Sequence, residues 1–332
     1  MKFISLGGIN EHGRNCFYIQ GMEHSILLDC GRGNNEAFPS FDKIDVKNID
    51  YLFISHSHLD HTGSIKRLVD LGFQGKIYLS EETYQCLSFK DFDHDFLPIN
   101  GETKISDWLK IKSRRTGHCF GSLSFEIEFE HKKIFYSGDY LEDSVFKCDA
   151  IRNISADLAI IDGAYANNEK NTEENKTLLL SLIKKEKKVL LPLPKNGRSM
   201  DLISLLNENN ISYRIEGPSF FKMNESEYLR KEVIIFNKED SNVILFIDPQ
   251  LASGVSKDIV NTHPDYSLIF TGTIDKGSYA EKLLGERKNT YFQRLNVHQR
   301  EKDATRLASL NDFENVIIFH NPHTKEITEL DF

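Results

Sequence analysis

The sequence predicts an α/β protein of two units, the second inserted into the first. Three observations carry this expectation. Short apolar runs end repeatedly in an acid or a histidine, as in 26–28 before Asp29 and 51–54 before His56. Such runs read as buried strands that deliver a polar side chain at one edge. Residues 167–175 are polar and linker-like, and a fresh alternation of strands and helices follows them. Runs carrying His298 and His320 then close the chain. The expected boundaries are 1–169 for the first part of the first domain, 170–290 for the insertion and 291–332 for the return.

Composition narrows the class. A chain of 332 residues with 39% apolar and 27% charged residues fits a soluble globular enzyme of one or two domains. No stretch approaches a membrane span, and no signal-peptide pattern opens the chain, so a cytoplasmic protein with no membrane partner is expected. Cys16, Cys30, Cys86, Cys119 and Cys148 show no paired spacing and read as reduced thiols. The net charge of −9 argues against a broad nucleic-acid-binding surface. It leaves room for a nuclease, because a metal site needs carboxylates and a channel can be locally basic.

Taken in order, residues 2–6, 16–19 and 25–29 read as paired strands around a glycine-rich turn. His12 reads as part of that turn. The strand over 51–54 precedes His56, His58, Asp60 and His61. Three imidazoles and a carboxylate within six residues suit a borderline cation such as Zn²⁺. A helix is expected over 64–71, a strand over 76–80 and a helix over 81–90. The acidic run 91–95 reads as a solvated loop. His118 and Ser122 lie in a glycine-containing loop, with Cys119 between them as a small packed residue. Strands follow over 123–129 and 133–137, the latter leading to Asp139, with His131 exposed. A buried strand from 158 ends in Asp162.

In the second half, a helix over 177–187 precedes a strand over 189–194 and a helix opened by Gly197-Arg198. Stretches 247–257 and 268–278 read as further strand-to-helix elements, with His263 in a structural loop. Thr271, Gly272 and Thr273 follow a strand end, where backbone amides can meet a phosphate; Ser122 is a fourth candidate for that contact. Residues 294–299 read as a strand carrying His298, 300–310 as a helix and 316–320 as a last strand ending in His320. His323 is the competitor of His320.

Residues 56–61 spell the His-x-His-x-Asp-His motif, and with it the sequence resembles the metallo-β-lactamase superfamily. The opening Leu6-Gly-Gly-x-x-Glu-x-Gly-x-Asn15 is similar to that of the ribonuclease J family. Asp162 and the closing order strand-His, helix, strand-His resemble the β-CASP subgroup, which also holds the cleavage-and-polyadenylation-type RNA endonucleases. The chain departs from that subgroup at Gly163-Ala-Tyr165, Asn296-Val-His-Gln299 and His320-Asn-Pro322.

The resemblance implies a metallo-β-lactamase αββα sandwich with an inserted β-CASP α/β cap domain. It implies two divalent metal ions, zinc or manganese. One is held by His56, His58, His118 and Asp139, the other by Asp60, His61, Asp139 and His320. Asp29 supports the histidines from behind. Asp60, Asp162 and His298 carry the chemistry, the last two on the leaving-group side. The implied activity is hydrolysis of RNA phosphodiesters in RNA processing or decay, with single-stranded RNA as partner and a second copy of the chain as another. A DNA-directed or small-nucleotide phosphodiesterase is the alternative. A non-catalytic subunit of an RNA-processing complex is the second, and thiolester or lactone hydrolysis is disfavoured by the cap. With the sequence ending soon after His320, a compact version without the C-terminal oligomerisation domain of larger relatives is expected.

Overall fold

Alternation along the early strands decides the architecture. In Cys16–Gln20, Phe17 and Ile19 join one apolar cluster, Cys16 and Tyr18 another. A strand apolar on both faces needs cover on both sides. A computed structural model supplies that cover in layers. It describes residues 1–33, 36–146, 148–217, 235–323 and 327–332. The chain divides into two compact units. The first takes Met1–Glu142, Lys147–Asn168 and His298–Phe332, the second Asp143–Phe146 and Glu169–Val297.

In the first unit, β1 (Lys2–Gly7), β2 (Cys16–Gln20), β3 (Ser25–Leu28), β4 (Tyr51–Phe53), β5 (Lys76–Leu79) and β6 (His94–Phe96) lie side by side. A last strand, β18 (Glu329–Asp331), pairs with β1. The other sheet runs β7 (Gly101–Lys104), β8 (Leu109–Arg115), β9 (Leu123–Phe129), β10 (Lys132–Tyr136), β11 (Ser155–Asp162) and β17 (Asp312–Phe319). Phe3, Phe17, Phe53, Phe125, Tyr136, Ile160 and Phe319 fill the space between the sheets. Ile65 and Leu68, from helix Ile65–Asp70, pack in the cluster on the far side of the first sheet. Ala304 and Leu307, from helix Glu301–Ser309, do the same for the second. The result is helix, sheet, sheet, helix.

Parallel pairing positions the functional edge. β3, β4 and β5 are mutually parallel, as are β10, β11 and β17. Their carboxyl ends therefore deliver Asp29, His56, Asp139, Asp162 and His320, the edge where open parallel sheets place ligands.

The second unit is a parallel sheet in the order β13 (Arg214–Glu216), β14 (Val243–Ile247), β12 (Val189–Leu193), β15 (Ser267–Phe270), β16 (Thr290–Phe292). Among the described residues, no helix is long and apolar enough to cross a membrane.

Four local expectations are corrected. Residues 294–299 form no strand. Leu295 N–H goes to Thr271 O and Gln299 N–H to Tyr140 O, so no ladder forms as the chain passes from one unit to the other. The acidic run 91–95 is not all loop, because His94–Phe96 pairs with β5 through Ile77↔His94. The strand ending before His320 is not the last, since β18 follows. The helix expected from 177 starts at Thr172, where Asn171 and Glu174 form a reciprocal capping box.

Candidate metal centre

The motif after β4 folds into a turn and the short helix Leu59–Thr62, which set His56, His58, Asp60 and His61 at one place. Glycine makes that turn possible. A Cβ on Gly31 would lie 1.7 Å from the Asp60 carbonyl oxygen, so only glycine lets the Asp29 loop approach. Asp29 and His320 each take left-handed backbone, at φ 56 and φ 62. The His320 N–H is held by the Gly8 carbonyl at 2.7 Å.

Three imidazoles and one carboxylate oxygen form the first donor set. His58 Nδ1 lies 3.1 Å from His56 Nε2 and 3.0 Å from His118 Nε2. Asp139 Oδ2 lies 3.5 Å from His56 Nε2 and 3.4 Å from His118 Nε2. Ligands about 2.0–2.1 Å from a tetrahedral zinc stand roughly 3.3 Å apart, so these spacings fit such a cation. Asp139 Oδ2 is buried and has no hydrogen-bond partner, which an ion among those nitrogens would supply. Cys119 also groups with this set by position.

The second donor set uses the other oxygen of the same carboxylate. Asp139 Oδ1 lies 3.2 Å from His61 Nε2 and 3.3 Å from His320 Nδ1. Asp60 Oδ2 lies 3.3 Å from His320 Nε2 and 3.7 Å from His61 Nε2.

Protonation suits the first position. Burial, with His61 nearby, pushes His56 well below the ordinary histidine range, and burial also lowers His58. Both are neutral at pH 7, the form that offers a lone pair to a metal. Burial opposes charge on Asp139, but His61, His298 and His320 outweigh it and hold the carboxyl well below its usual range.

Behind the donors is a shell that the sequence revealed only in part. Asp29 accepts from Ser55 N–H and Ser55 Oγ–H, both at 2.7 Å, and meets His61 Nδ1 at 2.6 Å. The Tyr136 hydroxyl also donates to Asp29. Sequence reasoning missed Ser55, Tyr136 and Asn15, whose Nδ2 lies 2.8 Å from His61 Nε2. A signal existed for Tyr136: a tyrosine inside an apolar strand needs a partner for its hydroxyl.

Asp162 is gripped by the N–H groups of Tyr140 and Ala164 at 3.1 and 2.9 Å. His298 Nδ1 meets it at 3.1 Å, and the Tyr165 ring stands edge-on to the imidazole. Burial would lower His298, but Asp139 and Asp162 hold it up at about 9.

The phosphate candidates divide. Ser122 is buried, accepts from Thr116 Oγ and Cys119 N–H, and donates to Cys119 O. Its hydroxyl ties the His118 loop together. Thr271, Gly272 and Thr273 follow β15 in the second unit. The Thr271 hydroxyl is buried without a partner, and Thr273 is exposed. His12 is exposed beside His320, with ring centroids 5.7 Å apart.

Residues 9–192 match the family model described as the metallo-beta-lactamase superfamily. Endoribonuclease ysh-1 of Neurospora crassa is 26% identical over 249 residues, 63% of this chain and 29% of that protein. Endoribonuclease YSH1 of Saccharomyces cerevisiae is 27% identical over 252 residues, 62% of this chain and 32% of that one. Cleavage and polyadenylation specificity factor subunit 3-I of Arabidopsis thaliana is 27% identical over 239 residues, 61% and 34%. The chain thus spans about a third of the length of these relatives. A crystal structure of a protein of unknown function from Enterococcus faecalis V583 shares the fold, with a TM-score of 0.63 at 13% identity, covering 97% of this chain and 94% of that one.

Proposed function

The chain belongs to the metallo-β-lactamase superfamily, and on that premise we propose that it is a metal-dependent phosphodiesterase of the β-CASP type acting on single-stranded RNA. One observation carries the reading. Asp139 turns one carboxylate oxygen to His56 and His118 and the other to His61 and His320, as a ligand shared by two cations must. His56, His58, His118 and Asp139 would hold the first, a zinc ion, and Asp60, His61, Asp139 and His320 would hold the second. When bound, the ions supply Lewis acidity toward a phosphoryl oxygen and a water activated at neutral pH.

The chain's own residues orient and protonate. Asp29 fixes the His61 tautomer by taking its Nδ1 proton in a hydrogen bond, which turns Nε2 to the ion. Asp162 holds His298 through Nδ1 and leaves Nε2 to serve the substrate. Asp162, 3.1 Å from Nδ1, favours the protonated imidazole, and His298 then gives its proton to the leaving oxygen as general acid. The choice of RNA comes from the endoribonuclease relatives.

Matched RNA and DNA oligonucleotides, with and without chelator, test both parts. RNA should be cut, cleavage should stop in chelator, and added metal should restore it. Full activity after dialysis against excess chelator would overturn the metal mechanism. Faster cleavage of DNA would replace RNA as the substrate.

A further inference from the structure

We infer that Asn15 is an additional oxygen ligand of the second ion, its carboxamide turning over as the ion enters, and that this oxygen makes the second position the manganese-accepting one. The inference rests on the dinuclear reading above.

His61 Nδ1 is committed to Asp29 at 2.6 Å, which in the neutral ring leaves the lone pair on Nε2. That atom looks toward Asp139 Oδ1 and Asp60 Oδ2, at 3.2 and 3.7 Å. Asn15 Nδ2 lies 2.8 Å from the same Nε2 and donates to the lone pair an ion would take. The other end of the carboxamide is unsatisfied: Asn15 is fully buried, and its Oδ1 has no hydrogen-bond partner.

The backbone holds this side chain in place. Asn15 N–H donates to Asp60 O, and Gly31 N–H donates to Asn15 O, both at 2.9 Å. Gly8, at φ 89, leaves room for the amide, because a Cβ there would lie 2.6 Å from Asn15 Oδ1. A half-turn about Cβ–Cγ exchanges two nearly isosteric groups and puts Oδ1 where Nδ2 stands. Oxygen and Nε2 lone pairs would then face each other at hydrogen-bond distance. With Nε2 unprotonated, an ion between them makes that arrangement favourable, so the turned amide and the ion stabilise each other.

The consequence is an asymmetric pair. The first position offers three imidazoles and one carboxylate oxygen. The second offers oxygens from Asp60, Asp139 and Asn15 beside two imidazoles. Imidazole suits zinc, whereas carboxylate and carbonyl oxygens suit manganese.

The test is titration of the metal-free 332-residue chain with Mn²⁺, free ion read by electron paramagnetic resonance, and with Zn²⁺ against a competing chelator. Asn15→Ala should weaken the second Mn²⁺ by about 10–100-fold and leave the tighter Zn²⁺ unchanged. Asn15→Ala is the deciding arm. If Asn15 is an oxygen ligand, the Mn²⁺ at the second position weakens; if it only donates to His61 Nε2, its loss frees that lone pair and the ion binds as well or more tightly. An unchanged or tighter Mn²⁺ in Asn15→Ala, or equal weakening of both ions, overturns the inference. A wild-type protein that binds no second ion would instead overturn the dinuclear reading.

Discussion

On the proposed two-ion reading Asp139 serves both positions with one side chain, and that divides the expected consequences of mutation. Asp139→Ala should lose both ions by elemental analysis, whereas His320→Ala should lose only the second. His298→Ala should keep both and lower single-turnover cleavage about 10²–10⁴-fold, the range of general acid–base catalysis. A His298→Ala protein that cleaves normally would remove the Asp162–His298 pair from the mechanism. Asp201 makes a different kind of prediction. Its Oδ1 accepts from Ser144 Oγ–H and Val145 N–H, and its Oδ2 is buried without a partner. Burial raises its pKa from 3.8 to about 6. The folded protein keeps a proton there that the unfolded chain has released, so stability falls as pH rises from about 4 to 6 and levels off above. Asp201→Asn preserves both accepted bonds and should remove that slope. At pH 7 it should stabilise the protein by at most about 3 kcal/mol in denaturant titrations. An unchanged pH profile would mean that Asp201 is solvated.

At the scale of elements, the carboxyl ends of parallel strands do the positioning, and the turns between them leave little slack. The tightest turn passes through Gly31. Its missing Cβ is replaced by the Asp60 carbonyl, and its N–H ties down Asn15. Gly31→Ala must push the Asp60 turn away, which should cost about 1–3 kcal/mol of stability and selectively lower occupancy of the second ion. Metal content beside thermal unfolding checks this. Loss of the first ion as strongly as the second would show that the whole motif had collapsed.

For the whole molecule, the proposed metal donors and the proposed phosphate contacts fall in different units. All proposed metal donors lie in the first unit, while Thr271, Gly272 and Thr273 lie in the second. We propose that the second unit carries phosphate contacts for the substrate. RNA affinity of the full chain should then fall as salt rises, with a log–log slope of about −0.7 per neutralised phosphate. Removing 169–297 should flatten that slope and leave metal binding in the first unit. An identical slope after the deletion would place the phosphate contacts in the first unit alone.

The sequence by itself determined the layered α/β class and the strands that carry the candidate donors, because buried parallel strands write themselves as apolar runs ending in a polar residue. His56, His58, Asp60 and His61 were legible because a single turn collects them. His118, Asp139 and His320 were legible through the family motifs they complete. Residues 294–299 read as a strand because they hold alternating apolar residues, yet their backbone groups find partners in loops, which local pattern does not reveal. Ser122 reads in the sequence as a phosphate-contact candidate, and only the fold shows its hydroxyl meeting Thr116 and Cys119. Only the tertiary structure decided which oxygen of Asp139 faces which histidine. It alone brought Tyr136 to Asp29, and Asn15 to the nitrogen of His61 that faces the second position. Those are contacts between residues 46 and 107 apart in sequence, set by sheet pairing and packing rather than by any local preference.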